Sequence, residues 1–231
     1  YHYVLGRAYM LGPRDLAMQH ARRALAEAER CGDPAALGRA YGLLAVIGAL
    51  SGEAARGIED GRRAVALLER TEDQSSLSYA YWALGQCCAR IGAFEDAMTA
   101  EASARRVAEA IGDQPQAAAA AWATGVVLAA MGNWEEGIVE CQHAVQMTRD
   151  ALSRAIATGW LGFAYVEQGN TTRAIAALEQ SIPFLHKFGV RALEGWFTAF
   201  LAEAHRLEGR LERAEALSLE ALHIATEADS R

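Results

Sequence analysis

The sequence is poor in proline, cysteine and lysine, and it lacks a long apolar run. Proline and cysteine each occur four times in 231 residues, and Lys187 is the single lysine. The longest apolar stretch, residues 41–50, is about half as long as a helix that crosses a bilayer. No charged start followed by an apolar core and a cleavage site is present. These absences argue against a membrane partner and predict a cytoplasmic protein.

The cysteines follow no regular spacing: Cys31, Cys87, Cys88 and Cys141. A chain of this size does not need disulfide bonds to hold its core together, so the sequence predicts reduced thiols. Cys87 and Cys88 are adjacent and lack the two-residue spacer of redox pairs. One of them is therefore expected to be a buried small residue.

The charge balance and the scattered reactive residues exclude several function classes. The chain has 29 acidic and 22 basic side chains and a net charge of −7, which repels a phosphate backbone, so no nucleic acid partner is expected. Cys141 and His143 are two positions apart and would point to different faces of a helix, which argues against a metal site. The histidines have no recurring acidic or nucleophilic neighbour, and no glycine-rich phosphate loop is present. We expect no catalytic residues, no metal and no cofactor.

Regularly spaced glycines divide the chain into repeats. Glycines that would end a helix recur every forty residues, with one interval of thirty-seven: Gly12, Gly52, Gly92, Gly132, Gly169 and Gly209. Small residues follow these glycines by five positions: Ala17, Gly57, Ala97, Gly137, Ala174 and Ala214. Small residues also follow them by twelve positions: Ala24, Ala64, Ala104, Ala144, Ser181 and Ala221. Small residues at two fixed positions after each turn glycine indicate that helices approach each other closely in about six units. The composition favours helix throughout the chain.

The pattern resembles the tetratricopeptide repeat over nearly the whole chain. The third unit carries its aromatic, Leu-Gly, turn-glycine and small positions: Tyr81, Leu84, Gly85, Gly92, Phe94, Ala97 and Ala104. The resemblance implies an all-α fold, a right-handed α-α superhelix (solenoid) of about six helix-turn-helix repeats. The units are about forty residues long rather than thirty-four, and Leu5-Gly6 lies one position too near Gly12. Units of this length resemble those of bacterial signalling proteins.

The joints between helices predict the repeat boundaries. In Gly32-Asp33-Pro34 the glycine ends one helix, and the aspartate and proline begin the next. A single solenoid domain over residues 1–231 is expected, with repeats at 1–33, 34–73, 74–114, 115–150, 151–189 and 190–231. Because Tyr1 lies within a helical pattern, we expect the chain to be part of a larger protein. Pro183 removes an amide donor inside a predicted helix, so a kink or an early helix end is expected there.

The resemblance also implies a binding face on the first helix of each repeat. Counting back from the turn glycines predicts a peptide or partner groove lined by Tyr79, Trp82, Gln86, Arg90, Trp122, Val126, Trp160, Phe163, Trp196 and Phe200, with Ile156, Glu203 and Arg206 on the same face. The alternative interpretation is that these aromatic residues fill the space between helices. Trp134, two positions after its turn glycine, is expected to pack inside.

Three functions are consistent with the sequence. The leading prediction is a scaffold that binds a peptide or an amphipathic helix in an aromatic concave groove, as the sensor or scaffold part of a bacterial signalling protein. The second is a small-ligand sensor for a sugar or another metabolite. The third is self-association as a homodimer through the terminal helix, which has apolar residues on more than one face: Leu217, Leu219, Leu222 and Ile224.

Overall fold

The computed structural model describes Tyr3 and residues 14–229. This part of the chain contains eleven principal helices and no strand: α1 (Arg14–Cys31), α2 (Pro34–Leu50), α3 (Ala54–Leu68), α4 (Gln74–Arg90), α5 (Phe94–Ile111), α6 (Gln114–Ala130), α7 (Trp134–Met147), α8 (Ala151–Gln168), α9 (Thr171–Phe188), α10 (Arg191–Leu207) and α11 (Leu211–Asp229). The predicted all-α class is confirmed. The predicted Leu5-Gly6 pair and the Gly12 turn lie outside the described residues.

Helix packing groups the chain into two compact units, residues 1–120 and 121–231. In unit 1, α2 packs against α3 and α4 packs against α5, while α2 and α3 both contact α4. In unit 2, α8 packs against α9 and α10 packs against α11, while α10 contacts both α8 and α9. Each unit therefore stacks helix pairs on their neighbours, as repeat proteins do. The single domain expected from the sequence stays a prediction.

The joints have the predicted geometry. Gly169 ends α8 in the left-handed conformation with φ 79° and ψ 12°, which costs a residue without a Cβ little. At the start of α2, the Asp33 carboxylate accepts hydrogen bonds from the amides of Ala35 and Ala36 at 3.1 and 3.2 Å. Pro34 occupies the first turn of that helix, where its missing amide has no helical partner to lose.

A glycine opposite a larger side chain holds the two helices of a repeat close together. A Cβ added to Gly125 would lie 2.5 Å from Sγ of Cys141, and one added to Gly162 would lie 2.6 Å from Cγ of Leu178. In the third repeat, a Cβ on Gly85 would collide with the Glu101 carboxyl. In these three repeats, the glycine seven positions before the turn glycine therefore makes room for the residue nine positions after it.

One of the two outcomes expected at Pro183 does not occur. Helix α9 continues through Pro183 and ends only at Gly189, which has φ 69°, so the early helix end predicted at Pro183 does not occur. Pro183 and Glu179 both lie on the exposed side of α9. Because water can solvate the carbonyl that loses its amide partner, the helix tolerates the proline there.

No helix in the described ranges combines the length and apolar character needed to span a membrane.

Candidate peptide-binding surface

The centre of the candidate site is an aromatic cluster in unit 2. Trp160 on α8 is only 2% exposed, and its ring stacks on that of Trp122 with centroids 5.3 Å apart and an interplanar angle of 11°. Phe197 and Trp196 of α10 meet the same indole edge-on, with centroids at 5.1 and 6.0 Å. Offset and edge-to-face contacts of this kind stabilise aromatic clusters beyond the area that they bury.

The outer rings of the cluster remain partly accessible. Phe163 of α8 and Phe200 of α10 have centroids 4.9 Å apart, and each lies 6.2 Å from Trp160. Both phenylalanines, together with Trp122 and Trp196, are half-buried. We call the four half-buried rings, Trp122, Phe163, Trp196 and Phe200, the aromatic rim. Trp160 and Phe197 form its buried floor.

The two interpretations of the aromatic residues each describe part of this cluster. Trp160 has the burial of a core residue, whereas the four rim residues have surface that a ligand can reach. Val126, also predicted in the groove, is half-buried on α6. The predicted groove as a binding site stays a prediction.

The other predicted groove residues belong to unit 1. Tyr79 and Trp82 of α4 have ring centroids 5.4 Å apart. Tyr79 is buried, Trp82 is half-buried, and Arg90 is exposed at the end of the helix. Gln86 is half-buried and donates a hydrogen bond from Nε2 to Oε1 of Glu101 at 3.0 Å.

The count of positions from the turn glycines did not identify Phe197, and it predicted a buried environment for Trp134. Phe197 has no exposed surface, and its ring occupies the space that a Cβ on Gly159 would need. Gly159, directly before Trp160, was the one feature of the sequence that could have indicated the contact with Phe197. Trp134, expected to pack inside, is 41% exposed at the start of α7.

Two carboxylates lie beyond the aromatic rim on the same two helices. Arg206 donates hydrogen bonds to both oxygens of Glu203, from Nε at 2.7 Å and from Nη2 at 2.6 Å. These bonds lower the pKa of Glu203. Partial burial, and then the neighbouring charge of Glu203, raise the pKa of Glu167.

A fully buried carboxyl lies behind Gln86 in unit 1. Glu101 has no exposed surface, and burial raises its pKa well above the usual value, although the hydrogen bond from Gln86 opposes this shift. Its second oxygen, Oε2, has no hydrogen-bond partner among the described residues. Burial of this carboxyl therefore favours its neutral form in the folded protein.

The cysteines have the character of packing residues. All four are free, and Cys87, Cys88 and Cys141 are buried, so both members of the adjacent pair are inside, where the sequence had indicated one. Burial raises the pKa of the Cys87 thiol to about 12 and raises that of Cys141 as well, which disfavours the reactive thiolate. Within the described ranges, no three histidine, cysteine or acidic side chains are placed to hold a metal ion.

Known proteins resemble this chain in structure but not in sequence. No protein-family model matches it, and no curated protein does. The Rap protein complexed with competence and sporulation factor aligns with a TM-score of 0.78 at 14% identity, over 96% of this chain and 62% of Rap. The chain has the tetratricopeptide-like repeat fold.

Two further solved structures align with this chain over nearly its whole length. Aspartyl phosphate phosphatase F from Bacillus subtilis has a TM-score of 0.64 at 12% identity, over 97% of this chain and 69% of its own. A signal transduction ATPase from Pyrococcus horikoshii, described as having a tetratricopeptide repeat sensor, has a TM-score of 0.60 at 14% identity. That alignment covers 99% of this chain and 38% of the ATPase. The predicted resemblance is thus confirmed, and at such low identity it concerns the fold alone.

Proposed function

We propose that the chain is a protein-interaction module whose aromatic rim binds an apolar peptide segment or the apolar face of an amphipathic helix. The observation that carries this proposal is the arrangement of four half-buried rings over a buried indole in unit 2. Accessible aromatic side chains grouped over a packed floor are typical of the centres of protein interfaces. Apolar surface on neighbouring first helices suits a helix or an extended segment.

The structural neighbours support the same class of function. One of them is a Rap protein in complex with competence and sporulation factor, and another carries a repeat domain described as a sensor. These neighbours support the further proposal that the chain is the sensor or scaffold part of a bacterial signalling protein. The neighbour named as a phosphatase does not change this proposal, because its likeness extends only to the fold, and the absence of catalysis stays a prediction.

The polar groups near the rim favour a peptide over a sugar. A sugar site needs several polar groups directed at the hydroxyls besides a stacking surface. On the helices that carry the rim, Glu203 and Arg206 are committed to each other through two short hydrogen bonds, which leaves the exposed Glu167 as the charged side chain at that end that is open to a ligand. An apolar segment needs only the ring surface, and the rim provides it.

Self-association is a second candidate that a separate observation favours. On α11, the side chains of Leu211, Leu219 and Leu222 are 61, 62 and 62% exposed. Several exposed leucines on one helix form apolar surface that suits a contact with a second copy of the chain. Light scattering over a range of concentrations tests this, because a monomer at all concentrations would remove the dimer from consideration.

The direct test of the peptide proposal is a titration of tryptophan fluorescence. A short amphipathic helical peptide of leucine, alanine and glutamine is added to the wild type and to Phe200→Ala. We expect a spectral shift on binding and an affinity about tenfold weaker for the variant, which is about 1.4 kcal/mol. Phe184→Ala is the matched control, since Phe184 is 42% exposed on α9 and lies outside the rim. Equal affinity of Phe200→Ala and the wild type would contradict the proposed site.

A further inference from the structure

The aromatic rim leads into an acidic end. Glu167 follows Phe163 by four positions on α8, and Glu203 follows Phe200 by three positions on α10. Residues three or four apart share one face of a helix. Because the rings of Phe163 and Phe200 are in contact, the two carboxylates lie at the same end of the rim, near enough for the charge of Glu203 to act on Glu167.

The charge of Glu167 is the one that lacks compensation at this end. Arg206 forms two hydrogen bonds with Glu203 and neutralises it. Glu167 is exposed, and no cation pairs with it among residues 14–229. A cationic group of a partner can therefore pair with the Glu167 carboxylate at this end of the rim.

We propose that the acidic end, Glu167 with Glu203, selects partners whose apolar segment ends in a basic residue, arginine or lysine. This inference rests on the proposed function, because the apolar segment must already lie on the aromatic rim. The long stems of arginine and lysine can cover ring surface while the charged group reaches beyond it. The stem then contacts Phe163 and Phe200, and the charged group pairs with the Glu167 carboxylate.

Charge complementarity favours such a peptide over a free cation. A lone exposed carboxylate binds monovalent cations weakly, since water screens the attraction. The ring surface beside Glu167 contributes apolar contacts that only a larger ligand uses. The site therefore favours a peptide segment that has both apolar side chains and a basic residue.

A pair of peptides separates this inference from the proposal on which it rests. The probes are short amphipathic helices of leucine, alanine and glutamine that carry either one arginine or its neutral isostere citrulline at one end of the apolar stripe. Each pair is made with the substituted residue at the amino end and at the carboxyl end, which covers both directions of binding. Affinities are measured by tryptophan fluorescence for the wild type, Glu167→Gln and the control Glu179→Gln, an exposed position on α9.

We expect the arginine peptide to bind the wild type and Glu179→Gln about fivefold to tenfold more tightly than the citrulline peptide in one direction. In Glu167→Gln this preference should disappear while the citrulline affinity stays unchanged. Equal binding of both peptides by the wild type would overturn the acidic-end inference and leave the rim as a binding site. Absence of binding by all peptides would overturn both.

Discussion

Replacement of Glu101 by glutamine should stabilise the protein in a way that depends on pH. The side chain is fully buried, receives one hydrogen bond from Gln86, and faces the space left by Gly85. Burial raises its pKa, so the folded protein holds a proton that the unfolded chain releases above about pH 4.3, the ordinary glutamate value. Glutamine has the same shape and no charge, and its carbonyl can accept the same hydrogen bond.

The sign and size of the effect follow from the linkage between proton binding and folding. A carboxyl whose folded pKa is raised contributes its full stability below the unfolded pKa and loses it as the pH rises toward the folded pKa. The loss amounts to at most about 1.4 kcal/mol for each pH unit in that window. Between pH 5 and pH 7, the wild type should therefore lose up to about 3 kcal/mol relative to Glu101→Gln, whereas at pH 4 the two should be nearly equal.

Urea unfolding followed by circular dichroism, at intervals from pH 4 to pH 8, measures this difference. Glu72→Gln, at an exposed position between α3 and α4, controls for the loss of one carboxylate from the surface. An infrared carbonyl band of a neutral carboxylic acid that is present in the wild type and absent from Glu101→Gln would locate the proton. A difference in unfolding free energy that stays constant over the whole pH range would refute the reasoning.

Three further predictions concern helix contacts, the buried indole and a helix cap. Gly162→Ala places a Cβ 2.6 Å from Cγ of Leu178 and should destabilise the folded protein by about 1–3 kcal/mol. At Gly42 the atom nearest to an added Cβ is 3.8 Å away, so Gly42→Ala should stabilise the folded protein by about 0.5–1 kcal/mol. Trp160→Ala should lower the free energy of unfolding, measured with urea, by about 3–5 kcal/mol. An equal loss for Trp134→Ala, at an exposed position, would show that burial does not determine the size of the loss. Asp33→Ala removes two capping hydrogen bonds and should lower the free energy of unfolding by about 1 kcal/mol. An unchanged melting temperature would contradict this prediction.

Local chemistry explains why most helix limits were predictable. A turn glycine such as Gly169 adopts a conformation that other residues avoid, and a cap such as Asp33 satisfies the amides that a helix start leaves open. Both effects act within a few residues, so the sequence shows them directly. The early helix end expected at Pro183 does not occur, because the cost of the proline depends on whether water reaches the freed carbonyl, which is a property of the folded surface.

The candidate site was predictable only in part. The helical period placed Trp122, Trp160 and Phe200 on first helices, and the structure brings their rings together around Trp160. Which ring is floor and which is rim depends on how α8 and α10 pack, and Phe197 joins the floor from a position next to the predicted one. Glu167 escaped notice because its charge is significant only beside Glu203, on a different helix.

The sequence by itself determined the helices, their ends and the small residues at their crossings, because each depends on backbone conformations and side-chain sizes that recur at fixed spacing. Tertiary structure decided which groups lose contact with water. Glu101 occupies a position where other repeats have Ala21, Gly61 or Cys141, and only the fit against Gly85 makes it a buried acid. Burial is set by neighbours distant in the chain, so neither the neutral acid behind Gln86 nor the open charge of Glu167 could be inferred from its own segment.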